Sequence, residues 1–289
     1  MHYTKAKGIL SASNGMNLYR GCTHGCIYCD SRSTCYGMKH DFEDVEVKEN
    51  APQLLEMALK AKRKRCMIGT GAMSDPYNHL EADLKLTRRC LEIIDYYEFG
   101  LAIQTKSTRI LRDIDLLKSI NRKAKCVVQM TLTTYDEKLC KIVEPNVSTT
   151  KERFDALMAF KEEGIPTIVW LTPILPFIND TDENLRGILE YCIQAKVKGI
   201  ISFGFGLTLR DGDREYFYAA LDRYFPGMKR KYIQAYGSAY ELPSPNEKQL
   251  LEAFHGTCKK YGIMDSPKAC FSYLHELPDK YIQQSLFPI

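Results

Sequence analysis

YRGCTHGCIYCD, residues 19–30, contains three cysteines, Cys22, Cys26 and Cys29, in the spacing C-x3-C-x2-C. Three thiolates can hold three irons of a [4Fe–4S] cluster and leave the fourth iron open to another ligand. A cluster that only carries electrons usually has a fourth cysteine, whereas the next cysteine of this chain is Cys35. The spacing therefore predicts a cluster that does chemistry on a bound ligand.

A zinc site is the alternative interpretation of these cysteines. Structural zinc takes four ligands, typically in two pairs. His24 lies inside the loop, where the neighbouring ligands would crowd it, and no second pair of cysteines follows closely. The cluster is the favoured interpretation.

The segment resembles the signature of the radical S-adenosylmethionine (SAM) superfamily, in which an aromatic residue precedes the last cysteine, as Tyr28 does in this chain. In that superfamily the open iron chelates the amino and carboxylate groups of S-adenosyl-L-methionine. One electron from the cluster then cleaves the sulfonium and yields a 5′-deoxyadenosyl radical. The resemblance implies two cofactors, a [4Fe–4S] cluster and S-adenosyl-L-methionine, and an electron donor such as flavodoxin or ferredoxin.

Composition agrees with a cytoplasmic protein that has no membrane association. The chain has 289 residues, of which 45% are hydrophobic and 26% charged, as in ordinary globular proteins. It has neither an apolar run of about 18 residues nor an amino-terminal export signal, so its eleven cysteines are expected to be reduced thiols. The net charge of +4 permits binding to nucleic acid without requiring it.

Hydrophobic patterns predict alternating strands and helices. Apolar runs place strands at residues 16–20, 66–69, 100–105, 125–132, 167–174 and 199–205, and amphipathic patterns place helices at residues 82–97, 110–120, 150–163 and 182–195. Continuous apolar strands separated by helices are typical of a parallel sheet covered on its outer face. Six βα units match the partial (β/α)6 TIM-like barrel that the resemblance implies. We therefore predict an α/β fold, with this barrel in residues 1–240 and a C-terminal helical extension and tail in residues 241–289.

Residues that follow the predicted strands form a candidate cofactor pocket, since functional residues of parallel barrels cluster at the carboxyl ends of strands. Ser74 and Asp75 follow the second strand in the small-residue segment GTGAMSDPY, and Lys106 follows the third, where a buried cation needs an anionic partner. Gln129 and Thr131 belong to the fourth, hydroxyl-rich exit, which suits contacts to a ribose. Turn geometry and strand packing are alternative explanations for each segment alone.

Within the superfamily the chain looks most like the spore photoproduct lyase branch, from about residue 17 to residue 134. That lyase has a Cys-x-Ser-Asp stretch after the second strand, where this chain has Ala72-Met73-Ser74-Asp75. The resemblance implies that Ser74 helps to bind S-adenosylmethionine and that Lys106 contacts the cofactor or its surroundings. The chain is also similar to the spore-lyase-like radical SAM mobile pair proteins (protein B), which implies a second radical SAM protein as a partner.

Ala72 replaces the cysteine that donates a hydrogen atom in the lyase, so another donor is needed for lyase-like chemistry. Cys140 follows the fourth strand exit by several residues, and Tyr77 lies at the second exit. Both are candidate catalytic residues, although buried free cysteines and packed tyrosines are common for structural reasons.

Two classes of function remain open. The spore-lyase resemblance favours a radical enzyme that acts on DNA and repairs or modifies a base. The missing cysteine at Ala72 and the modest net charge favour a radical enzyme that modifies a peptide, an RNA or a small molecule.

The tail supports the DNA class, because QQSLF, residues 283–287, resembles the bacterial sliding-clamp-binding motif. In such a motif Gln283 would form amide hydrogen bonds, and Leu286 and Phe287 would fill apolar pockets on the partner. A tail that folds back over the barrel is the alternative.

We predict that Leu286→Ala and Phe287→Ala each weaken binding to a bacterial sliding clamp by more than about 1 kcal/mol, as the loss of a hot-spot side chain does. The affinity should change little with salt concentration, because apolar burial and neutral hydrogen bonds dominate. Calorimetric titration of the clamp into the full chain measures this, with Lys280→Gln as the control outside the motif. An unchanged affinity in the double variant would refute the motif.

Overall fold

The structure, a computed structural model, describes residues 1–278. Its strands are β1 His2–Thr4, β2 Gly15–Met16, β3 Tyr19–Arg20, β4 Glu46–Lys48, β5 Met67–Thr70, β6 Gly100–Thr105, β7 Cys126–Thr131, β8 Thr167–Trp170, β9 Gly199–Ile201, β10 Gly206–Thr208 and β11 Glu241–Pro243. Its α-helices are α1 Ala51–Ala61, α2 Glu81–Leu84, α3 Leu86–Tyr96, α4 Ile114–Lys123, α5 Glu137–Val143, α6 Thr150–Glu162, α7 Asp182–Gln194, α8 Asp213–Tyr224, α9 Met228–Tyr236, α10 Glu247–Tyr261 and α11 Pro267–His275. Short 3-10 helices cover Asp30–Arg32, Thr34–Tyr36 and Thr108–Asp113. The predicted clamp-binding residues Gln283, Leu286 and Phe287 lie outside the described residues.

The main sheet has six parallel strands in the order β2-β5-β6-β7-β8-β9. On its outer face Ile103 of β6 and Val128 of β7 are fully buried in one core with Leu117 of α4. Parallel strands need such cover because the crossover helices place apolar side chains against the sheet. The prediction of an α/β fold with a six-stranded parallel, barrel-like sheet is confirmed.

The opposite face of the sheet is the inside of the partial barrel, and its lower part is apolar. Ala102, Val127 and Ile168, which lie near the amino ends of their strands, pack against Cys270 and Leu274 of α11. Helix α11 therefore closes the floor of the barrel.

The upper part of the inner face is polar, because side chains on one face recur every two positions along a strand. Two positions beyond the apolar floor, the Nε1–H of Trp170 donates a hydrogen bond to Oε1 of Gln129 (2.9 Å). Two positions beyond Gln129 lies Thr131, whose Oγ1 is 3.4 Å from Nζ of Lys106. The inside of the barrel thus has an apolar floor, a hydrogen-bonded middle layer and a polar top.

The first strand differs from the prediction for residues 16–20. Only β2 pairs with β5 in the main sheet, while β3 pairs antiparallel with β4 in a separate sheet of order β1-β4-β3. The chain leaves the barrel after β2, and Tyr19 of β3 is buried with its hydroxyl donating to Oε2 of Glu81 (2.6 Å).

Four other elements are shorter or more broken than the patterns predict. The predicted strand 167–174 ends at Trp170. The predicted helix 82–97 is divided at Lys85, whose φ of 49° is left-handed. The predicted helix 110–120 starts as a 3-10 helix and becomes α-helical at Ile114. The predicted strand 199–205 ends at Ile201, because the chain then turns through Gly204 (φ 96°) and pairs as β10 with β11.

Further contacts join the segment after residue 240 to the rest of the chain, besides the packing of α11 under the barrel. Strand β11 pairs antiparallel with β10, with Leu242 opposite Leu207, and α10 packs on α7. The division of the chain at residue 240 stays a prediction, and the β10–β11 ladder crosses that position.

None of the helices within residues 1–278 combines the length and the apolar character that crossing a membrane requires.

Candidate active site

A cavity of about 680 Å³ opens at the carboxyl ends of the barrel strands. The cysteine loop and three strand exits meet there, as the sequence predicts for residues that follow parallel strands. The predicted site residues that line the cavity are Cys22, Cys26, Cys29, Ser74, Asp75, Lys106 and Thr131.

The three cysteines form one wall of this cavity. Cys22 and Cys26 are buried and Cys29 is half-buried. Burial raises the pKa of all three thiols, that of Cys22 to about 12. Thiols with raised pKa values keep their protons in the free protein, and a bound metal displaces those protons because it takes the thiolate as its ligand.

The cysteine loop is held at its start by backbone contacts that only glycine allows. The N–H of Cys22 donates to the carbonyl of Phe42 (3.1 Å). Gly21 has a φ of 89°, and a Cβ there would lie 2.4 Å from the same carbonyl oxygen. The Oγ–H of Ser74 donates to the carbonyl of Gly21 (2.6 Å). This bond connects the segment that follows β5 to the cysteine loop.

Asp75 connects the segment that follows β5 to the carboxyl end of β6. Its carboxylate accepts hydrogen bonds from Oγ1 of Thr105 and from the backbone N–H groups of Lys106 and Tyr77, at 2.7, 2.7 and 2.8 Å. Nδ1 of His24 in the cysteine loop lies 3.4 Å from the same carboxylate. Asp75 therefore sets the relative positions of the loop and the two exits.

Lys106 is the one cation among the described residues that line the cavity. Burial alone would lower its pKa, but interactions with the neighbouring acidic groups, the Cys26 sulfur first and then the Glu144 carboxylate, outweigh burial and raise the pKa above its usual value. The ammonium group thus stays charged and can meet an anionic group in the cavity.

The donor set and the cavity fit a [4Fe–4S] cluster with a bound small molecule. Three sulfur donors face one space, and the described lining of that space contains no fourth cysteine. Nε2 of His24, another lining residue, is buried and has no hydrogen-bond partner among the described residues. Because buried polar atoms are nearly always satisfied, this nitrogen indicates that a group inside the cavity completes the site.

The structure does not bring Gln129, Tyr77 or Cys140 to the cavity. Gln129 lies one layer lower on the inner face, bonded to Trp170. Tyr77 is fully buried and donates to Oδ2 of Asp113 (3.0 Å). Cys140 is also buried, below the cavity wall. The catalytic roles predicted for Tyr77 and Cys140 stay predictions, and neither side chain lines the cavity.

The sequence analysis missed a buried ion pair behind the cysteine loop. Glu144 and Arg153 are both fully buried and form a salt bridge, and the hydroxyl of Tyr28 donates to the other carboxylate oxygen of Glu144. Arg153 also donates to the carbonyl of Thr131 (2.6 Å) and lies 3.2 Å from Sγ of Cys140.

The positive charges of Arg153 and Lys106 keep the buried Glu144 carboxylate ionised. Burial alone would raise the pKa of Glu144, but Arg153 and then Lys106 outweigh it, and the pKa is lowered. The ion pair spans only nine positions, but its contact with the cysteine loop joins Tyr28 and Glu144, which are 116 positions apart, and no local pattern reveals such a contact.

The segment around Glu144 also holds the cysteine loop through its backbone. The carbonyl of Val143 accepts from the N–H of Ile27 (3.0 Å), and the N–H of Asn146 donates to the carbonyl of His24 (3.2 Å). Together with the Tyr28–Glu144 contact, these bonds fix the middle of the loop from below.

An aromatic wall stands on the side of the cavity formed by β8 and β9. Trp170 and Phe203 line the cavity, with ring centroids 6.1 Å apart, and Phe271 lies behind them, 6.3 Å from Phe203. Phe203 is 62% exposed, so its ring is available to a ligand.

Comparison with known proteins identifies a superfamily and a fold. Residues 16–192 match the family model of the Radical SAM superfamily. The "Uncharacterized protein Rv2578c" of Mycobacterium tuberculosis (strain ATCC 25618 / H37Rv) is 29% identical over 254 residues, which are 86% of this chain and 74% of that protein. The "Uncharacterized protein MJ0683" of Methanocaldococcus jannaschii is 36% identical over 171 residues, 58% of this chain and 62% of that protein.

Two solved structures share the fold at low sequence identity. A mutant spore photoproduct lyase with bound AdoMet and dinucleoside spore photoproduct has a TM-score of 0.57 at 14% identity, over 86% of this chain and 74% of that chain. SuiB of Streptococcus suis bound to S-adenosylmethionine has a TM-score of 0.50 at 13% identity, over 84% of this chain and 48% of that chain.

We predict that Glu144→Gln destabilises the protein by about 3–5 kcal/mol, because it leaves the Arg153 guanidinium buried without its counter-charge. Lys151→Gln is the matched control. It breaks the exposed Lys151–Asp155 pair on α6, the helix that also carries Arg153, and exposed pairs contribute little to stability. Urea unfolding of the two variants and the wild type measures the free energies. Equal stability of Glu144→Gln and Lys151→Gln would show that the buried pair does not support the loop.

Proposed function

The chain belongs to the radical SAM superfamily, and from this premise we propose that Cys22, Cys26 and Cys29 hold its [4Fe–4S] cluster and that the cavity above them binds S-adenosyl-L-methionine. The superfamily uses both cofactors and needs an electron donor. When bound, they supply a 5′-deoxyadenosyl radical that can take a hydrogen atom from a substrate. The observation that carries the assignment is the convergence of three cysteine sulfurs on one cavity, whose described lining contains no fourth cysteine.

The remaining tasks fall to the chain's own residues at the strand exits. Lys106 presents a positive charge inside the cavity, and Thr131 offers a hydroxyl 3.4 Å from Nζ of Lys106. Ser74 and Asp75 are engaged with the cysteine loop and the neighbouring exit, so their contribution is to fix the shape of the cofactor pocket. Gln129 supports the pocket from one layer below through Trp170.

DNA is the substrate that we propose first, with a base as the reacting group. The observation that supports it is the aromatic wall of Trp170 and Phe203, because an extruded base can stack on exposed aromatic rings. The similar fold of a lyase solved with a dinucleoside spore photoproduct agrees with this proposal. Ala72 distinguishes the chemistry from that lyase, so the proposed outcome is repair or modification of a base with a different hydrogen donor.

A hydrogen donor has to reach the product inside the cavity. Among the described tyrosines that line the cavity are Tyr28, Tyr36 and Tyr240, whereas Tyr77 and Cys140 lie behind the wall. Tyr77 or Cys140 could take the predicted catalytic role only by relaying a hydrogen atom through a lining residue.

A peptide substrate is the second candidate, and the charge of the cavity mouth favours it. The lining carries four carboxylates against the single ammonium group of Lys106. These carboxylates belong to Asp30, Asp75, Glu241 and Glu247. A surplus of negative charge repels phosphate groups and attracts basic side chains.

The proposed partners follow from these two substrates. An electron donor such as flavodoxin or ferredoxin would reduce the cluster, which suits a location in the cytoplasm. Docking of the tail on a sliding clamp would bring the enzyme to DNA, and a second radical SAM protein would act beside it. All three remain predictions from the sequence.

We predict that Phe203→Ala lowers the affinity of the cofactor-loaded protein for a single-stranded oligonucleotide by about 1–3 kcal/mol, the usual contribution of one stacked base. Tyr96→Ala is the control, since Tyr96 is 75% exposed and does not line the cavity. Fluorescence anisotropy with a labelled oligonucleotide measures the affinities.

The same assay distinguishes the two substrates. A peptide replaces DNA as the proposed substrate under two conditions. The wild type has to bind a lysine- and arginine-rich peptide but not the oligonucleotide, and Glu241→Gln has to weaken the binding of the peptide. If Phe203→Ala and Tyr96→Ala have equal effects on DNA binding, the aromatic wall is not the base platform.

A further inference from the structure

Two imidazoles and two carboxylates converge on the small sheet β1-β4-β3, outside the cavity. His2 lies opposite Glu46 in the parallel pairing of β1 with β4. Nδ1 of His2 is 2.9 Å from Oδ2 of Asp44. His40, from the preceding loop, stands edge-on to His2 with ring centroids 4.7 Å apart.

The clearest sign of a ligand is an unsatisfied nitrogen on His40. Its Nδ1 lies 3.0 Å from the carbonyl of Asp41, which assigns the ring proton to Nδ1 in the neutral imidazole. Its Nε2 is buried, has no hydrogen-bond partner among the described residues, and faces Oε2 of Glu46 at 3.7 Å. A lone pair that faces a carboxylate is repelled unless a positive charge stands between them.

A metal ion would supply that charge and has the expected surroundings. Metal-ligating histidines usually donate their other N–H to a carbonyl or carboxylate, as His40 does to Asp41. One ligand atom from each of His2, His40 and Asp44 lies within 4.8 Å of the others. Zinc bonds of about 2.0–2.1 Å place neighbouring ligands about 3.3 Å apart, so side-chain shifts on the order of 1 Å would bring these three atoms to that spacing. Glu46, whose Oε2 lies 3.7 Å from Nε2 of His40, is the candidate fourth ligand.

We propose that His2, His40, Asp44 and Glu46 bind a structural zinc ion. Imidazole nitrogens with carboxylate oxygens are a donor set that zinc accepts, and four ligands complete a tetrahedral structural site. The side chains of His2 and Asp44 are 41% and 43% exposed, so the ion can enter from solvent. The amino group of Met1 also lies 2.9 Å from Asp44, and zinc has to compete with it.

The zinc ion would strengthen the support of the first cysteine. His40 and Asp44 bracket Phe42, whose carbonyl accepts the N–H of Cys22 (3.1 Å). The ring of Phe42 lies 4.3 Å from the guanidinium carbon of Arg32 and lines the cavity. Fixing both ends of residues 40–44 would therefore hold the start of the cysteine loop in place.

Calorimetric titration of Zn²⁺ into the anaerobic, cluster-loaded protein tests the proposal, because the cluster keeps Cys22, Cys26 and Cys29 from binding zinc. The wild type should bind one zinc ion, and His40→Ala and His2→Ala should each weaken that binding at least about 10-fold, since even the loss of a group that only orients a ligand costs that much. His2 lies near the chain start on an edge strand, so its variant keeps the fold. His255→Ala is the matched control, because His255 pairs with Asp265 on the surface (2.6 Å) and belongs to no cluster of potential metal ligands among the described residues.

X-ray absorption at the zinc edge of the same sample identifies the ligands. Nitrogen and oxygen ligands at about 2.0–2.1 Å, with no sulfur at about 2.3 Å, support the site. Sulfur ligands, equal zinc affinity in wild type and His40→Ala, or no zinc binding at all would overturn it, and a proton shared by His40 and Glu46 would then account for their contact. The loss of zinc affinity in His40→Ala and His2→Ala depends on neither the cluster nor the substrate assignment, since both residues lie outside the cavity. Only the sulfur readout requires that the cluster occupy Cys22, Cys26 and Cys29.

Discussion

Three sulfur atoms have to be held against one cavity by a loop that has almost no regular structure, and the rest of the site depends on how this is done. Hydrogen bonds from separate parts of the chain hold the loop at its start and in its middle. Phe42 and Ser74 hold its start at Gly21 and Cys22. The segment of residues 143–146 holds the middle of the loop through backbone hydrogen bonds and through the contact of Tyr28 with Glu144. The buried Arg153 in turn keeps the Glu144 carboxylate charged and in place.

The barrel supplies the other half of the site by layering its inner face. The two-residue period of the strands puts an apolar floor under α11, a hydrogen-bonded middle layer at Gln129 and Trp170, and a polar top at Lys106 and Thr131. Only the top layer meets the cysteine wall. The cavity therefore combines a sulfur wall, one buried cation and an aromatic side, and its sulfur wall and cation suit a cluster and a charged cofactor.

Sequence patterns predict the local and periodic parts of this arrangement and fail where distant segments meet. The cysteine spacing and the strand exits at Ser74 and Lys106 are local signals, and the parallel topology brings them together. Gln129 is predicted to line the cofactor pocket but lies one layer below it. A side chain two positions earlier along a strand points to the same face but lies one layer lower, and the sequence alone does not fix which layer meets the cavity. The role of Glu144 and Arg153 at the cysteine loop left no signal, since it depends on the contact of Glu144 with Tyr28, more than a hundred positions away. The contact of Tyr19 with Glu81, just after the first barrel strand, is likewise tertiary and has no local pattern.

Electron paramagnetic resonance of the anaerobically reconstituted, reduced protein tests the central claim, that three cysteines hold an open-site cluster beside the S-adenosylmethionine pocket. The account predicts a [4Fe–4S] signal whose g values shift when S-adenosylmethionine is added, because the ligand binds near or on the cluster. Cys26→Ala should lose both the signal and most of the iron. A spectrum that S-adenosylmethionine leaves unchanged, or full iron content in Cys26→Ala, would contradict the account.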